Sequence, residues 1–148
     1  MRRFLAVTYL FATVLLAGCG SDTGTNPESN TFDRVYDLTW VNGIALPYSV
    51  AADAEDDGVI FTLTSDRITF HQDGKFVETM TVTATGGGVT TGPAVGTLSG
   101  TYTYSASTGT ISLNVGAGDE FTGLTGSISE ASMTLTDGSN AYVFLPQP

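Results

Sequence analysis

The feature of this sequence that most constrains its fold is a two-residue alternation of apolar side chains with polar ones. It is plain in residues 59–64 and 76–84, where threonine separates most of the apolar positions. Successive side chains of a strand point to opposite faces, so this alternation is typical of strands with one buried face. It recurs in 32–40, 98–104, 111–115, 121–128, 132–135 and 141–145. Since no stretch shows the 3.6-residue period of an amphipathic helix, we predict an all-β chain.

Turn-forming residues separate these stretches at short intervals. Asp73-Gly74 is typical of a two-residue hairpin loop, because such loops need positive φ angles. Further turn signals lie at 86–93, 105–109 and 137–140. About eight to ten short strands joined by tight turns predict an antiparallel up-and-down meander, closed into a small barrel or, as the alternative, folded into a β-sandwich.

The amino-terminal residues have the organisation of a secretory signal peptide. Arg2 and Arg3 form a short positive segment, and residues 4–17 are apolar apart from a few polar side chains. A helix that spans a bilayer needs about 20 apolar residues, so this run is too short to span and fits a signal sequence. We therefore predict that residues 1–18 are a signal peptide.

The signal peptide ends in the four residues Leu16-Ala17-Gly18-Cys19, which resemble the lipobox of bacterial lipoproteins. The resemblance implies cleavage before Cys19 and acylation of this cysteine, commonly with palmitate. Gly20 resembles the following residue of lipoproteins that are sent to the outer membrane. The implied location is the bacterial cell envelope, lipid-anchored at the outer membrane and facing the periplasm or the surface. The alternative is a soluble secreted protein with an incidental cysteine.

A polar segment separates this cysteine from the alternating region. Residues 20–31 read GSDTGTNPESNT and contain no apolar side chain, which favours a flexible tether. The expected organisation is a signal peptide at 1–18, a lipidated cysteine and tether at 19–31, and one β-domain at 32–148.

The charge balance excludes several classes of partner. The chain has 15 Asp and Glu against 5 Lys and Arg, a formal charge of −10, which becomes −12 when Arg2 and Arg3 leave with the signal peptide. Nucleic acids and anionic lipid surfaces both attract basic proteins, so neither is expected to bind this chain by charge. We therefore expect membrane contact through the lipid anchor. One cysteine and one histidine also exclude disulfide frameworks and multi-histidine metal sites.

A second resemblance comes from the start of the alternating region. The run Tyr36-Asp37-Leu38-Thr39-Trp40-Val41-Asn42-Gly43, with Leu46-Pro47 after it, is similar to the opening of small lipocalin-like domains of bacterial lipoproteins. Residues 96–144 are similar to their Gly- and Thr-rich closing hairpins. The resemblance implies an up-and-down barrel with a lumen for a small apolar ligand, and it implies no enzymatic activity.

Two charged residues fall on predicted apolar faces. Arg34 alternates in phase with the apolar residues of its strand, and so does Glu78. A charge that points into a core is costly unless it is paired. The two side chains therefore either pair with each other, or cap the barrel ends, or orient the polar head of a ligand in a lumen. The aromatic residues that would line such a lumen, or simply fill the core, are Tyr36, Trp40, Tyr102 and Tyr104.

An acidic loop offers a weak calcium motif. Asp53, Glu55 and Asp57 follow the alternate spacing of a calcium-binding loop, and Gly58 comes next. The motif lacks the bidentate Glu at position twelve and the flanking helices. The two interpretations are a weak surface calcium site and a solvated acidic loop, and no other cofactor is expected.

Catalysis has little support in the sequence. His71 is the single imidazole, and no G-x-S-x-G nucleophile motif occurs, so we expect no enzyme. Two hypotheses remain for the function. The first is a lipid-anchored envelope lipoprotein that binds a small apolar ligand in its barrel, and the second is a structural or protein-interaction module with a solid core and no ligand. The sequence names no protein partner.

Overall fold

Strands make up the regular structure of the residues that the structure describes. The computed structural model describes residues 31–51, 58–116 and 123–148, so the predicted signal peptide, Cys19 and nearly all of the tether lie outside it. The strands are β1 (Arg34–Val41), β2 (Ile44–Ala45), β3 (Tyr48–Ala51), β4 (Ile60–Phe70), β5 (Lys75–Gly86), β6 (Val89–Ser105), β7 (Thr110–Val115), β8 (Leu124–Ile128), β9 (Met133–Thr136) and β10 (Ala141–Pro146). Within these described ranges there is no helix long and apolar enough to cross a membrane.

The strands form a closed antiparallel barrel. From β4 to β10 each strand pairs with the next in the chain, and β1 closes the ring by pairing with both β10 and β4. The barrel has eight strands, and the short β2 and β3 add to the edges of β1 and β4. The predicted all-β, up-and-down barrel is thus confirmed, and the chain does not adopt the alternative sandwich.

The apolar face of each strand points into the barrel. Facing residues of paired strands, such as Leu38 with Phe144 and Tyr102 with Leu113, lie on the same inner face. The buried apolar core consists of Tyr36, Leu38, Val41, Ile68, Phe70, Phe76, Tyr102, Ile111, Leu113, Leu124, Met133, Leu135 and Phe144. Burying one such large side chain stabilises the fold by about 1.5–3 kcal/mol, so this shared interior is what holds the meander closed.

One end of the barrel, here called the aromatic end, is filled by rings. Phe32 lies 5.1 Å from Phe70 and 5.3 Å from Tyr102 between ring centroids, and Tyr104 packs edge-on against Phe32. The Tyr102 hydroxyl accepts a hydrogen bond from the Phe32 N–H at 2.9 Å and is within donating distance, also 2.9 Å, of the His71 carbonyl. These contacts fix the point where the chain enters the barrel.

Two glycines on the inner face allow neighbouring strands to approach closely. A Cβ placed on Gly100 would collide with the carbonyl oxygen of Asn114 on β7, and one placed on Gly126 would collide with that of Thr134 on β9. At Gly100 the space is also taken by the ring of Phe76, 2.9 Å from the position of such a Cβ. These positions require glycine because backbone, rather than a movable side chain, occupies the space.

A bulge interrupts the alternation of β1, and the orientation that the sequence predicts for Trp40 is therefore wrong. The β1–β10 register shifts between Leu38 and Trp40, so Trp40 lies opposite Val143 while Val41 lies opposite Tyr142 on the inner face. Trp40 is therefore half-buried on the other face and does not share the inner face of Leu38 as its spacing predicts. One extra residue in a strand moves every later side chain to the opposite face, which is the physical reason for the error.

Candidate functional site

The end of the barrel opposite the aromatic end, here called the mouth, contains an apolar pocket of about 280 Å³. Its walls come from inward-facing positions of β1, β3, β4, β5 and β10 and from the turn before β10. The lining residues are Val41, Tyr48, Val50, Phe61, Leu63, Val82, Asn140 and Tyr142. The strand β3 pairs only with β4, at Tyr48–Ala51, and has no described strand on its other side. It therefore extends one wall of the barrel beyond the closed ring and leaves the mouth open.

The pocket exposes apolar surface to solvent. Val50 is 51% exposed and Phe61 is 46% exposed, and the two lie directly opposite each other across β3 and β4. Apolar area in contact with water costs about 25 cal/mol per Å², so a ligand that covers these side chains gains that free energy on binding. The arrangement can thus hold an apolar group without any change in the barrel.

A polar network borders the pocket at the turn before β10. The Asp137 carboxylate accepts hydrogen bonds from the backbone N–H groups of Asn140 and Ser139, both at 2.7 Å, and from the Tyr142 hydroxyl at 2.8 Å. These donors hold the pKa of Asp137 well below its usual range, with the Asn140 N–H the largest cause. Burial and the bond to Asp137 raise the pKa of Tyr142. Tyr142 therefore keeps its proton and presents its ring to the pocket in a fixed position.

Deeper in the barrel lie two buried carboxyl groups, Asp66 of β4 and Glu78 of β5. They are 5% and 6% exposed, and both belong to the inner face, where Asp66 lies opposite Met80 and Glu78 opposite Ile68. Burial, and then repulsion from the neighbouring Glu78, raise the pKa of Asp66 to about 9. Burial also raises the pKa of Glu78. At neutral pH Asp66 therefore holds a proton that an exposed carboxyl would release.

Three predicted ligand-binding residues come together, but at the aromatic end. Arg34, Tyr36 and Tyr104 line a hollow of about 240 Å³ with Phe32 and Ile128. The Arg34 guanidinium is exposed and lies 3.5 Å from the Tyr36 hydroxyl. Arg34 thus caps a barrel end, which is one of the alternatives that its sequence position leaves open.

The other predicted ligand-binding residues are elsewhere. Tyr102 is buried among the rings of the aromatic end with its hydroxyl bonded to backbone, and Trp40 is outside the inner face. Glu78 is inside the barrel beside Asp66 and does not pair with Arg34. The six candidates therefore do not form one pocket.

The candidate calcium ligands Asp53, Glu55 and Asp57 lie outside the described residues. Within the part of the chain that the structure describes, there is no group of three or more His, Cys, Asp or Glu side chains that could hold a metal ion.

Sequence reasoning missed Asp66, although a signal for it was present. Residues 60–70 form one strand, and Asp66 alternates in phase with Ile68 and Phe70. The bulge between Leu63 and Ser65 breaks the phase with Phe61, so the segment reads as two short strands separated at Ser65-Asp66. Counting backwards from Phe70 places this carboxyl on the inner face.

Comparison with known protein families, curated proteins and solved structures finds no match to this chain.

Proposed function

We propose that this protein is a lipid-anchored lipoprotein of the bacterial cell envelope that binds a small apolar ligand in the mouth of its barrel. The observation that supports the proposal best is the apolar pocket of about 280 Å³, with Val50 and Phe61 half-exposed at its edge. Pockets for small molecules are mostly apolar with a few placed polar groups, and here Asn140 is the polar residue of the lining while Tyr142 adds an aromatic ring. Binding rather than catalysis is the proposed activity.

The size of the pocket restricts the ligand. Sites for drug-sized molecules measure about 300–1,000 Å³, so this pocket suits a ligand at or below the lower end of that range. A short branched or cyclic hydrocarbon group fits its Val, Leu and Phe lining. A long acyl chain does not fit, because the far end of the barrel is filled by rings.

The proposed anchor is an acylated Cys19, at the outer membrane facing the periplasm or the surface. Buried acyl groups contribute about 0.8 kcal/mol per CH₂, so two or three chains hold a small domain at a membrane. Intact-mass measurement of the chain from membranes should show a species that begins at Cys19 and carries acyl mass. The Cys19→Ser variant should lose this mass and leave the membrane fraction. An unacylated chain in the soluble fraction would contradict the anchor.

The ligand is tested by native mass spectrometry on the full chain, extracted from its own membranes in a mild non-ionic detergent. We expect excess mass that is lost on denaturation and recovered as a small apolar molecule. Val82→Phe places a ring in the pocket and should abolish the excess mass. Val95→Phe is the matched control, because Val95 is 66% exposed on the outer face and the same ring there fills no cavity.

Two results would contradict ligand binding at the mouth. One is a bare polypeptide mass in every preparation, and the other is equal ligand mass in the Val82→Phe and Val95→Phe variants. Equal occupancy would place the small molecule elsewhere on the protein or in the detergent.

A second candidate function is protein interaction without a ligand, and the β5–β6 hairpin favours it. Along residues 89–99, β6 pairs with β5 on one side and with no other described strand on its other side. Val89 and Val95 on this segment are 62% and 66% exposed. Open strand edges bind extended partner segments, so cross-linking from position 95 in membranes should capture a partner if this candidate is correct.

A further inference from the structure

The barrel interior contains two acidic side chains and no basic one among the residues that the structure describes. The described basic residues have other locations: Arg34 is exposed at the aromatic end, Arg67 binds Asp37 at 2.6 Å on the outer face, and Lys75 binds Asp73 at 3.0 Å in a turn. A buried carboxylate is strongly disfavoured unless a positive charge or several donors compensate it. The pair Asp66 and Glu78 therefore has no compensating cation within the described barrel.

Asp66 also has an unused acceptor atom. Its Oδ1 is fully buried and makes no hydrogen bond with any described residue. The residue as a whole is 5% exposed. Buried polar atoms almost always have a partner, so an unpartnered oxygen in a native interior calls for a donor such as a water, an ion or a ligand.

A crevice in the barrel wall leads from solvent to Asp66. The β1–β4 ladder ends at the pair Asp37 and Arg67, and beyond it β1 pairs with β2 while β4 pairs with β3. The two strands separate there and leave a crevice of about 660 Å³. Its lining residues are Asp37, Leu38, Leu46, Thr64, Ser65, Asp66, Arg67, Thr79 and Thr81.

We propose that Asp66 and Glu78 form a binding site for a small organic cation, a primary ammonium group on a short apolar chain, which enters through this crevice. An ammonium group has three N–H donors, which match the acceptor oxygens of two adjacent carboxylates. The apolar chain suits the neighbours of the pair, which include Leu38, Ile68 and Met80. The site is separate from the mouth pocket, so this inference goes beyond the proposed function.

A metal ion fits these residues less well than an ammonium ion. Calcium takes six to eight oxygen ligands, whereas the described residues bring no third acidic side chain to the pair. The residues paired with the two carboxyls on the neighbouring strands are Met80, Ile68 and Leu98, whose side chains offer contact to hydrocarbon and no oxygen to a metal.

Binding is coupled to protons. Burial raises the pKa of both carboxyls, that of Asp66 to about 9, so in the protein alone Asp66 holds its proton at neutral pH. An ammonium ion favours the ionised carboxylates, and its binding therefore releases protons to the buffer. The other groups that act on the pair by charge are Asp37 of β1 and Tyr142 of β10, and neither is positive.

The test is calorimetric titration of the full chain, in non-ionic detergent, with n-butylammonium chloride. We expect saturable binding that strengthens between about pH 6 and about pH 8, with proton release measured from two buffers of different ionisation heat. Tetramethylammonium, which has no N–H donor, and n-butanol, which has no charge, should bind at least about tenfold more weakly. Calcium chloride should not compete.

Variants separate this site from general attraction to an acidic surface. Asp66→Asn keeps the size of the side chain and should weaken n-butylammonium binding at least about tenfold, as should Glu78→Gln. Asp73→Asn is the matched control, because it removes an exposed carboxylate from the β4–β5 turn, away from the crevice and the buried pair. It should change the affinity less than about twofold.

Several outcomes would overturn the proposal. They are equal affinities of Asp66→Asn, Asp73→Asn and the unmodified chain, absence of saturable binding while near-UV circular dichroism shows a folded barrel, or displacement of the amine by calcium. If Asp66→Asn does not fold, Glu78→Gln and the proton release of the unmodified chain decide the question. The Val82→Phe variant should bind the amine normally, so failure at the mouth is distinguished from failure here.

Discussion

The buried carboxyl of Asp66 predicts that the barrel loses stability as the pH rises. Its pKa is about 9 in the folded protein against 3.8 when unperturbed, so between these values the folded state binds the proton and the unfolded state does not. The contribution to stability is therefore complete at low pH and is lost progressively up to the folded-state pKa. One such proton corresponds to about 1.4 kcal/mol per pH unit, or about 4 kcal/mol from about pH 5 to about pH 8. Glu78 acts in the same direction.

The substitution Asp66→Asn tests this reasoning. It removes the titrating group and keeps the size of the side chain, so the variant should match the unmodified protein below about pH 4, and its advantage should grow by about 4 kcal/mol between about pH 5 and about pH 8. The assay is urea unfolding followed by circular dichroism at several pH values. Asp73→Asn is the control, because Asp73 is an exposed turn carboxylate whose pKa is lowered by its bond to Lys75, so it stays ionised from about pH 5 to about pH 8. Parallel pH profiles for Asp66→Asn and the unmodified protein would refute the burial argument.

Two further predictions concern the fold. Tyr102→Phe removes the hydroxyl that bonds the Phe32 N–H and the His71 carbonyl, and should cost about 1–2 kcal/mol in urea unfolding, while Tyr104→Phe removes a hydroxyl with no described hydrogen bond and should cost less than about 0.5 kcal/mol. Equal losses would show that the hydroxyl bonds do not fix the chain entry. Gly126→Ala should cost about 3 kcal/mol or more, because its Cβ collides with the backbone of β9, whereas Gly96→Ala meets no atom within 4 Å and should leave the thermal midpoint within about 2 °C. A tolerated Gly126→Ala would contradict the close approach of β8 and β9.

The sequence predicts the class of fold well because the alternation is a local property of each strand. The Asp73-Gly74 turn and the alternation of β5 and β7 suffice to locate those elements and their inner faces. The pairing of β1 with β4 closes the ring and joins residues that are distant in the chain. The local sequence pattern therefore does not predict it.

The candidate site is less predictable, because single extra residues decide which side chains meet. The bulge after Leu38 turns Trp40 away from the interior, and the bulge beside Thr64 conceals that Asp66 faces inward. Glu78 is visible in the sequence as a charge on an apolar face, whereas its partner is visible only once the register of β4 is known. The mouth pocket similarly depends on β3, a four-residue strand whose sequence has no alternation strong enough to identify it.

The way the chain enters the barrel places the proposed anchor and the proposed ligand pocket at opposite ends of the domain. Phe32 is held at the aromatic end, and the last strand returns there, with the Gln147 N–H bonded to the Val35 carbonyl at 2.9 Å. If Cys19 carries the anchor, the bilayer is reached from this end, and the mouth opens roughly 20 Å further along β1 on the opposite side. The proposed anchor would thus join the domain at its filled end and leave the mouth unobstructed by the tether, so that a ligand could enter the mouth from the aqueous phase.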